Sequence, residues 1–391
     1  MDQLQPYLNL AAAQQYLPVL GKLLPRAVKY LGLFVLALNL PSLPFGWHVR
    51  VFSPLFHLRF RFFLFRLSLL LHSRQERKKA KDKWLENLSP IGESPFEKTI
   101  TYHAWAGIDD CDFNLHLSNS CYPKILDCAR FKAALAYFPT FLRAGGWIAL
   151  GATHFNFIRE IPIFSPYQVR MSIASWDNKW MFLVIRFVTF PKKTKGSDKK
   201  AHSSKTPPTA TTDGPPFLSL HTPASGLTTP SPALVSAPAP APTSTGIPGA
   251  AAAMRALAAQ TTEPDGATLN CLSVNELVFK HGRITVPPAL VLAGDGFAAP
   301  PPDADLAAGA RPFSAANPPP HWAAVQALLR AGGVRGVSEF IRGGWRDVPE
   351  GGRWWEAALG GAVEAQRAAN YELVKGVRRG MEGAREVVQG A

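Results

Sequence analysis

Asp110-Cys111-Asp112-Phe113-Asn114-Leu115-His116-Leu117-Ser118-Asn119-Ser120-Cys121-Tyr122 is the stretch that decides the fold, because its polar side chains alternate with apolar ones between two segments of different periodicity. Upstream, residues 97–106 (EKTITYHAWA) read as a short strand. Downstream, residues 122–138 (YPKILDCARFKAALAYF) carry the spacing of an amphipathic helix. The cluster is therefore expected on a strand-to-helix loop, with Ser118 or Asn119 as N-cap and the helix N-terminus aimed back at the carboxylates. Backbone N–H groups at a helix start can polarise a carbonyl oxygen, while a nearby carboxylate or imidazole handles a proton or water. The same residues also suit a purely architectural use, an Asx-type turn and cap with His116 as an ordinary hydrogen-bonding residue.

The string resembles the Asp-x-Asp-x-Asn-x-His-x-x-Asn-x-x-Tyr segment of plant acyl-ACP thioesterases and, more loosely, the Asp-to-His loop of the 4-hydroxybenzoyl-CoA thioesterase type. Both are hotdog folds. Further pieces fit in order: Asp127-Cys-Ala-Arg130, Phe157-Ile-Arg159-Glu-Ile-Pro162, Trp176-Asp-Asn-Lys-Trp180 and the segment from Val278 to Pro288. The whole is most similar to fungal thioesterase-like proteins of the leucinostatin-cluster type, over residues 97–294 apart from an insert. One departure is His116-Leu-Ser118-Asn119 where many relatives carry His-x-Asn-Asn, so a hydroxyl replaces an amide.

The resemblance implies an α+β hotdog domain, an antiparallel sheet wrapped around one long helix, that hydrolyses an acyl-CoA or acyl-carrier-protein thioester in lipid or fungal lipopeptide and polyketide metabolism. It assigns Asp112 as general base or water-orienting carboxylate and Asn114 and His116 as groups orienting water and thioester. The oxyanion donors would be backbone N–H groups at Leu117 or Ser118, with Asn119 beside them. Asp110 and Asp127 are further acid candidates, and Asp127 is also placed to pair with Arg130 three residues on. It implies a homodimer with the site between subunits and requires no cofactor or metal. The rival reading is a membrane-anchored hotdog protein that binds acyl chains without turnover; another is a scaffold whose insert recruits partners.

The 391 residues include 35 prolines and 31 glycines, weighted to the second half, so one modest domain suffices for the ordered part. Cysteines 111, 121, 128 and 271 form no C-x-x-C pair and read as reduced intracellular thiols. Cys111 lies between two carboxylates, which disfavour a thiolate nucleophile. The net charge of +14 is concentrated in residues 48–83 and 191–205, which leaves the rest nearly neutral and argues against a nucleic-acid groove.

Residues 1–90 form an apolar and basic region expected to associate with membrane lipids. Residues 30–47 (YLGLFVLALNLPSLPFGW) lack charge over nearly the ~20 residues of a spanning helix, though Pro41 and Pro44 would end it. Residues 51–71 mix Phe and Leu with Arg59, Arg61 and Arg66, as an interfacial helix does, and the basic run 74–83 favours the cytoplasmic side. The expected location is intracellular and membrane-associated, with the catalytic domain facing the cytoplasm. The alternative is a helical hairpin packed on that domain.

Strands are expected at 147–158, 167–176, 180–190 and 268–280, with a tight Asp177-Asn178 connection. They complete a domain over 96–294 that a Pro/Ser/Thr/Ala-rich insert at 191–265 interrupts, and this insert is expected to be disordered. A Pro/Ala-rich linker is expected over 295–320 and a helical accessory tail over 321–391, its tryptophans serving as packing anchors.

Overall fold

The computed structural model describes residues 25–190, 261–301 and 311–389. Six strands form one antiparallel sheet: β1 (Thr99–Trp105), β2 (Trp147–Phe157), β3 (Pro166–Trp176), β4 (Trp180–Thr189), β5 (Thr268–His281) and the short β6 (Ile284–Val286). Their order is β1-β3-β4-β5-β2, with β6 hairpinned onto β5. Across one face runs the long helix α4 (Cys121–Tyr137). Helices α1 (25–38), α2 (Gly46–Ser68) and α3 (Arg74–Glu86) precede the sheet, and the five-residue α5 (Pro139–Arg143) follows α4. This is the hotdog arrangement, and each strand expected from the sequence lies within two residues of its predicted bounds.

The core follows from two periodicities. On α4, Tyr122, Ile125, Leu126, Ala129, Ala133 and Tyr137 are buried, the three-and-four spacing of one helical face. On β3, Tyr167, Val169, Met171 and Ile173 alternate with half-buried positions, and β4 presents Met181, Leu183, Ile185 and Phe187 to the same core. Small residues on α4, Ala129 and Ala133, let helix and sheet approach closely, while the Tyr137 hydroxyl reaches the Lys98 and Met171 carbonyls, both at 2.8 Å. A bulge in β2 falls at Gly151, where a Cβ would stand 2.2 Å from the Trp180 ring, so only glycine fits there.

Strands β4 and β5 pair directly, so the segment joining them is a connection between neighbours, as the flanking patterns predict. Of the expected disordered insert, 191–260 lies outside the described residues. Its last part is corrected: the side chain of Glu263 is nearly buried, 2.5 Å from Arg186 and 3.4 Å from Arg170, and Asp265 pairs with Arg170 at 2.5 Å. A charge cluster on the sheet, which composition does not reveal, fixes this turn.

The linker expected from 295 is also shorter than its composition suggests. Helix α6 (Pro288–Gly294) leads into Asp295, which is fully buried and accepts hydrogen bonds from the backbone N–H groups of Thr140 (2.6 Å) and Phe141 (3.3 Å) at the start of α5. Burial pushes the Asp295 carboxyl up to about 8, opposed by those donors and by Arg143. Phe297 is buried in the main core, and 302–310 lies outside the described residues.

The C-terminal helices α7 (Trp322–Gly332), α8 (Val334–Arg342), α9 (Trp354–Ala358) and α10 (Ala362–Gln389) pack on the domain. Val337, Ile341, Trp355 and Leu359 join the main core, and Trp322 donates to Glu86 of α3 at 3.0 Å. Helix α10 lies on β3, where Arg367 donates to the Trp176 carbonyl (2.7 Å) and Asn370 to that of Ala174 (2.8 Å), beside a β3 bulge.

The uncharged run 30–47 is broken. Helix α1 ends by residue 38, a short 3-10 turn occupies Leu40–Ser42, and α2 begins at Gly46. Among the described residues no helix is long and apolar enough to cross a membrane. Helix α2 packs on α4 and α3: Val51 is buried, Phe52 meets Phe131 of α4 edge-on at 5.3 Å, and Phe62 lies 4.6 Å from Trp84 of α3.

Candidate functional site

The loop between β1 and α4 folds back on itself. A one-turn 3-10 helix, Ile108–Asp110, leads to a bridge between Cys111 and Leu117 that closes a small hairpin. At its tip the Asp112 Oδ1 accepts from the N–H of Asn114 (2.9 Å) and of His116 (3.4 Å), while Leu115 takes φ +62. Asp112 thus organises the turn through one carboxylate oxygen, the Asx geometry that the sequence offered as the architectural reading, while the side chain as a whole stays half-buried. Asn114 is exposed at the tip beside Phe113, which is 93% exposed.

His116 bridges to Pro162, at the end of the segment after β2, and its Nδ1 lies 3.3 Å from the Glu160 carboxylate. Glu160 was present in the quoted string 157–162 but had no assigned role, since only the β2 end brings it to the loop. A carboxylate this near one ring nitrogen can orient the imidazole electrostatically.

Asp110 is differently placed. It is 4% exposed, with Lys124 Nζ at 2.9 Å from Oδ1 and Arg50 Nη1 of α2 at 3.7 Å from Oδ2. Two cations and burial make it an anchor beneath the loop. Neighbouring Asp109 accepts from the Ser42 hydroxyl, so both acids tie the loop to the N-terminal helices. Asp127 lies on α4, paired with Arg130, whose Nη1 also donates to Asn275 (3.1 Å) and Thr153 (3.3 Å) across the sheet.

The oxyanion donors expected at Leu117 and Ser118 are already engaged. The Leu117 N–H donates to Ile161 O (2.8 Å) and that of Ser118 to Asp110 O (2.9 Å). The expected N-cap is corrected too: α4 begins at Cys121, its N-cap is Ser120, and no side chain caps it, because Ser118 Oγ bonds to Ser120 Oγ at 2.9 Å. Among the described residues the N–H groups of Asn119 and Ser120 make no hydrogen bond, and they sit at the positive end of α4. Beneath them Tyr122 is buried against Phe155, Phe157 and Phe187, and burial raises its phenol well above the ordinary range.

Cys111 is pushed up to about 11 by burial and by Asp110 and Asp112, which makes it a poor nucleophile. His281 Nε2 donates to Ala144 O at 3.1 Å and lies 3.0 Å from the Ser338 hydroxyl, and His154 lies 3.5 Å from Glu276, both on other elements than the loop. Among the described residues no three His, Cys, Asp or Glu side chains converge as a metal site.

A sequence model described as Thioesterase-like superfamily matches residues 106–203, which span the loop, α4 and strands β2 to β4. The chain is similar to the probable thioesterase atnL of Emericella nidulans, 26% identical over 184 residues, 40% of this chain and 53% of that protein. It is similar also to thioesterase lcsJ of Purpureocillium lilacinum, 29% identical over 121 residues, 24% of this chain and 37% of that protein. The chain thus spans between about a third and a half of the length of these curated relatives. A solved 1,4-dihydroxy-2-naphthoyl-CoA thioesterase from Synechocystis aligns over 51% of this chain and 96% of its own, at 8% identity and a TM-score of 0.28. The loop with its Asp112 turn, the helix that follows it and strands β2 to β4 all lie in the region of the family match, so this part of the hotdog domain is similar to the thioesterase-like superfamily.

Proposed function

We propose that the domain hydrolyses an acyl thioester carried on CoA or an acyl carrier protein, with the chemistry at the tip of the 110–122 loop. The observation that supports it is the juxtaposition of the half-buried Asp112 carboxylate, the His116–Glu160 pair and the uncapped start of α4 in the family-matched segment. Asp112, held through Oδ1 by two backbone N–H groups, takes a proton from water through its other oxygen. The water oxygen bonds to the thioester carbon, whose developing oxyanion is met by the N–H groups of Asn119 and Ser120. The C–S bond then breaks, the thiolate takes up the proton, and a carboxylic acid and free thiol result. Asn114 and His116 position the water and the thioester.

The loop tip carries an exposed apolar rim of Trp105, Ile108, Phe113, Leu115 and Phe164, with Trp105 stacked on Phe164 at 5.6 Å. Among the described residues edge strand β2 has no strand on its outer side, and it exposes Trp147, Leu150 and Phe157. A second copy would cover these surfaces, so the working unit is a homodimer.

The test is a panel of acyl-CoA and acyl-ACP substrates of graded chain length, read by thiol release. Asp112→Asn is the decisive variant, because the amide oxygen keeps both backbone hydrogen bonds while losing basicity. Turnover should fall ~10²- to 10⁴-fold with binding retained. A wild-type protein that binds acyl thioesters and hydrolyses none of them would establish the non-catalytic acyl-binding alternative instead.

A further inference from the structure

Helix α2 is apolar on two opposite faces. One faces inward, with Val51 buried and Phe62 and Phe65 packed on Trp84 of α3. The other bears Val49, Phe56, Phe60, Phe63, Leu67 and, just past the helix, Leu70, at spacings of seven, four, three, four and three residues. Those intervals draw a single stripe along the helix, and each of the six side chains is 52–60% exposed. An apolar stripe of about six turns left in water marks an interaction surface. Because both faces are apolar, the sequence shows little amphipathic contrast, and only the packing separates the two.

The charges beside the stripe indicate its partner. Helix α2 holds no Asp or Glu; Arg59 and Arg66 flank the stripe on one side and Arg61 on the other. The following α3 adds a cleft lined by Arg74, Arg77, Lys78 and Lys81 with a single acid, Asp82. A second copy laid on this stripe would bring the arginines of both helices together without a compensating acid on α2. A sheet of lipid phosphates supplies the complementary charge, and arginine stems reach it from the margins while the rings enter the acyl layer.

We infer that α2 docks lengthwise onto an anionic bilayer, with Phe56, Phe60 and Phe63 in the acyl boundary and its opposite face still on the domain. The helix lies in the plane of the surface and does not cross it, since its other side is covered, with Val51 buried and Phe62 and Phe65 on Trp84 of α3. Docking brings the 110–122 loop to the bilayer's edge, because Arg50, one residue beyond Val49, reaches Asp110.

The full chain is tested by co-sedimentation with phosphatidylcholine vesicles alone and with vesicles of phosphatidylcholine and phosphatidylserine mixed at about two to one. The wild type should partition at least about tenfold more strongly onto the anionic vesicles, and once bound should stay bound in high salt. Phe56→Ser/Phe60→Ser/Phe63→Ser, with an unchanged circular dichroism spectrum, should lose at least about tenfold in partitioning; Arg59→Gln/Arg61→Gln/Arg66→Gln should lose the preference for phosphatidylserine. The conservative Phe60→Trp should add a fluorescence component that brominated acyl chains quench. Triple-serine binding within about twofold of wild type, or an added Phe60→Trp fluorescence that brominated lipid leaves unquenched, overturns the inference. If the triple-serine variant turns a dimer into a monomer without changing vesicle binding, the stripe belongs to a second copy and the inference is likewise overturned. None of these readouts depends on thioester hydrolysis.

Discussion

Arg50 of α2 and Asp110 of the loop stand 3.7 Å apart, and together with Lys124 they fix the base of the candidate site to the helix in front of it. The Asp110 carboxylate is nearly buried while its two cations keep partial access to water, so the pair is stronger than a surface bridge and weaker than a fully dry one.

Asp110 should therefore act on stability more than on chemistry. Asp110→Asn leaves two cations facing a neutral amide and should cost on the order of 2 kcal/mol in urea denaturation, whereas Arg50→Met, which leaves Lys124 in place, should cost less. Activity per folded molecule should change little in either. A stable Asp110→Asn protein without turnover would return Asp110 to the list of catalytic acids.

Two buried groups that titrate at about pH 8 or below, Asp295 and His321, give opposite pH slopes. Asp295, pushed up to about 8, binds its proton more tightly folded than unfolded, so its contribution to stability falls as pH rises from about 4 to about 8. His321, lowered to about 4 by burial, binds its proton more tightly unfolded, so stability is lost as pH falls from about 6.5 towards 4. The effects oppose each other below about 6.5 and leave only the Asp295 decline above it. Thermal unfolding should show a melting temperature that drops from about pH 6.5 to about 8, and Asp295→Asn should flatten that limb. An undiminished slope in the variant would show that other groups produce it.

Cys111 should be slow to alkylate at about pH 8, because a thiol pushed up to about 11 is almost wholly protonated there. Cys111→Ser should keep turnover within a few-fold of wild type. Rapid iodoacetamide modification with loss of activity would contradict both the raised thiol and the water-based chemistry.

The alternation on β3 and the three-and-four pattern on α4 made the sheet and its helix legible in the sequence, because each element is buried on a face that its own period defines. The loop's importance was legible for the same reason, as polar residues crowded between two such elements. What the sequence hid were contacts between distant segments. Glu160 reaches His116 only once the β2 end lies beside the loop, and Glu263 belongs to the sheet only through Arg170 and Arg186. Asp295 read as linker because its partners are backbone N–H groups 155 and 154 residues away, which no local pattern records. The engaged N–H groups of Leu117 and Ser118 are a register effect of the same kind, set by pairing with Ile161 and Asp110.

The relationship between Glu160 and His116 offers a test of whether the loop works as one unit. Glu160 is 59% exposed, so its pair with His116 Nδ1 should contribute well under ~1 kcal/mol to stability, and Glu160→Gln should unfold as wild type does. If the carboxylate orients the imidazole that positions the thioester, Glu160→Gln should lower kcat ~10-fold with KM little changed, because an orientation effect is expressed in the transition state. His116→Ala should lose more. In the double variant the Glu160 change should add nothing further, since the group it orients is gone, and the coupling energy would then equal the single Glu160 effect, ~1.4 kcal/mol for a tenfold loss. Additive losses would mean that Glu160 acts on substrate directly. A Glu160→Gln enzyme at the wild-type rate would leave the 3.3 Å contact as a surface ion pair without a part in the chemistry.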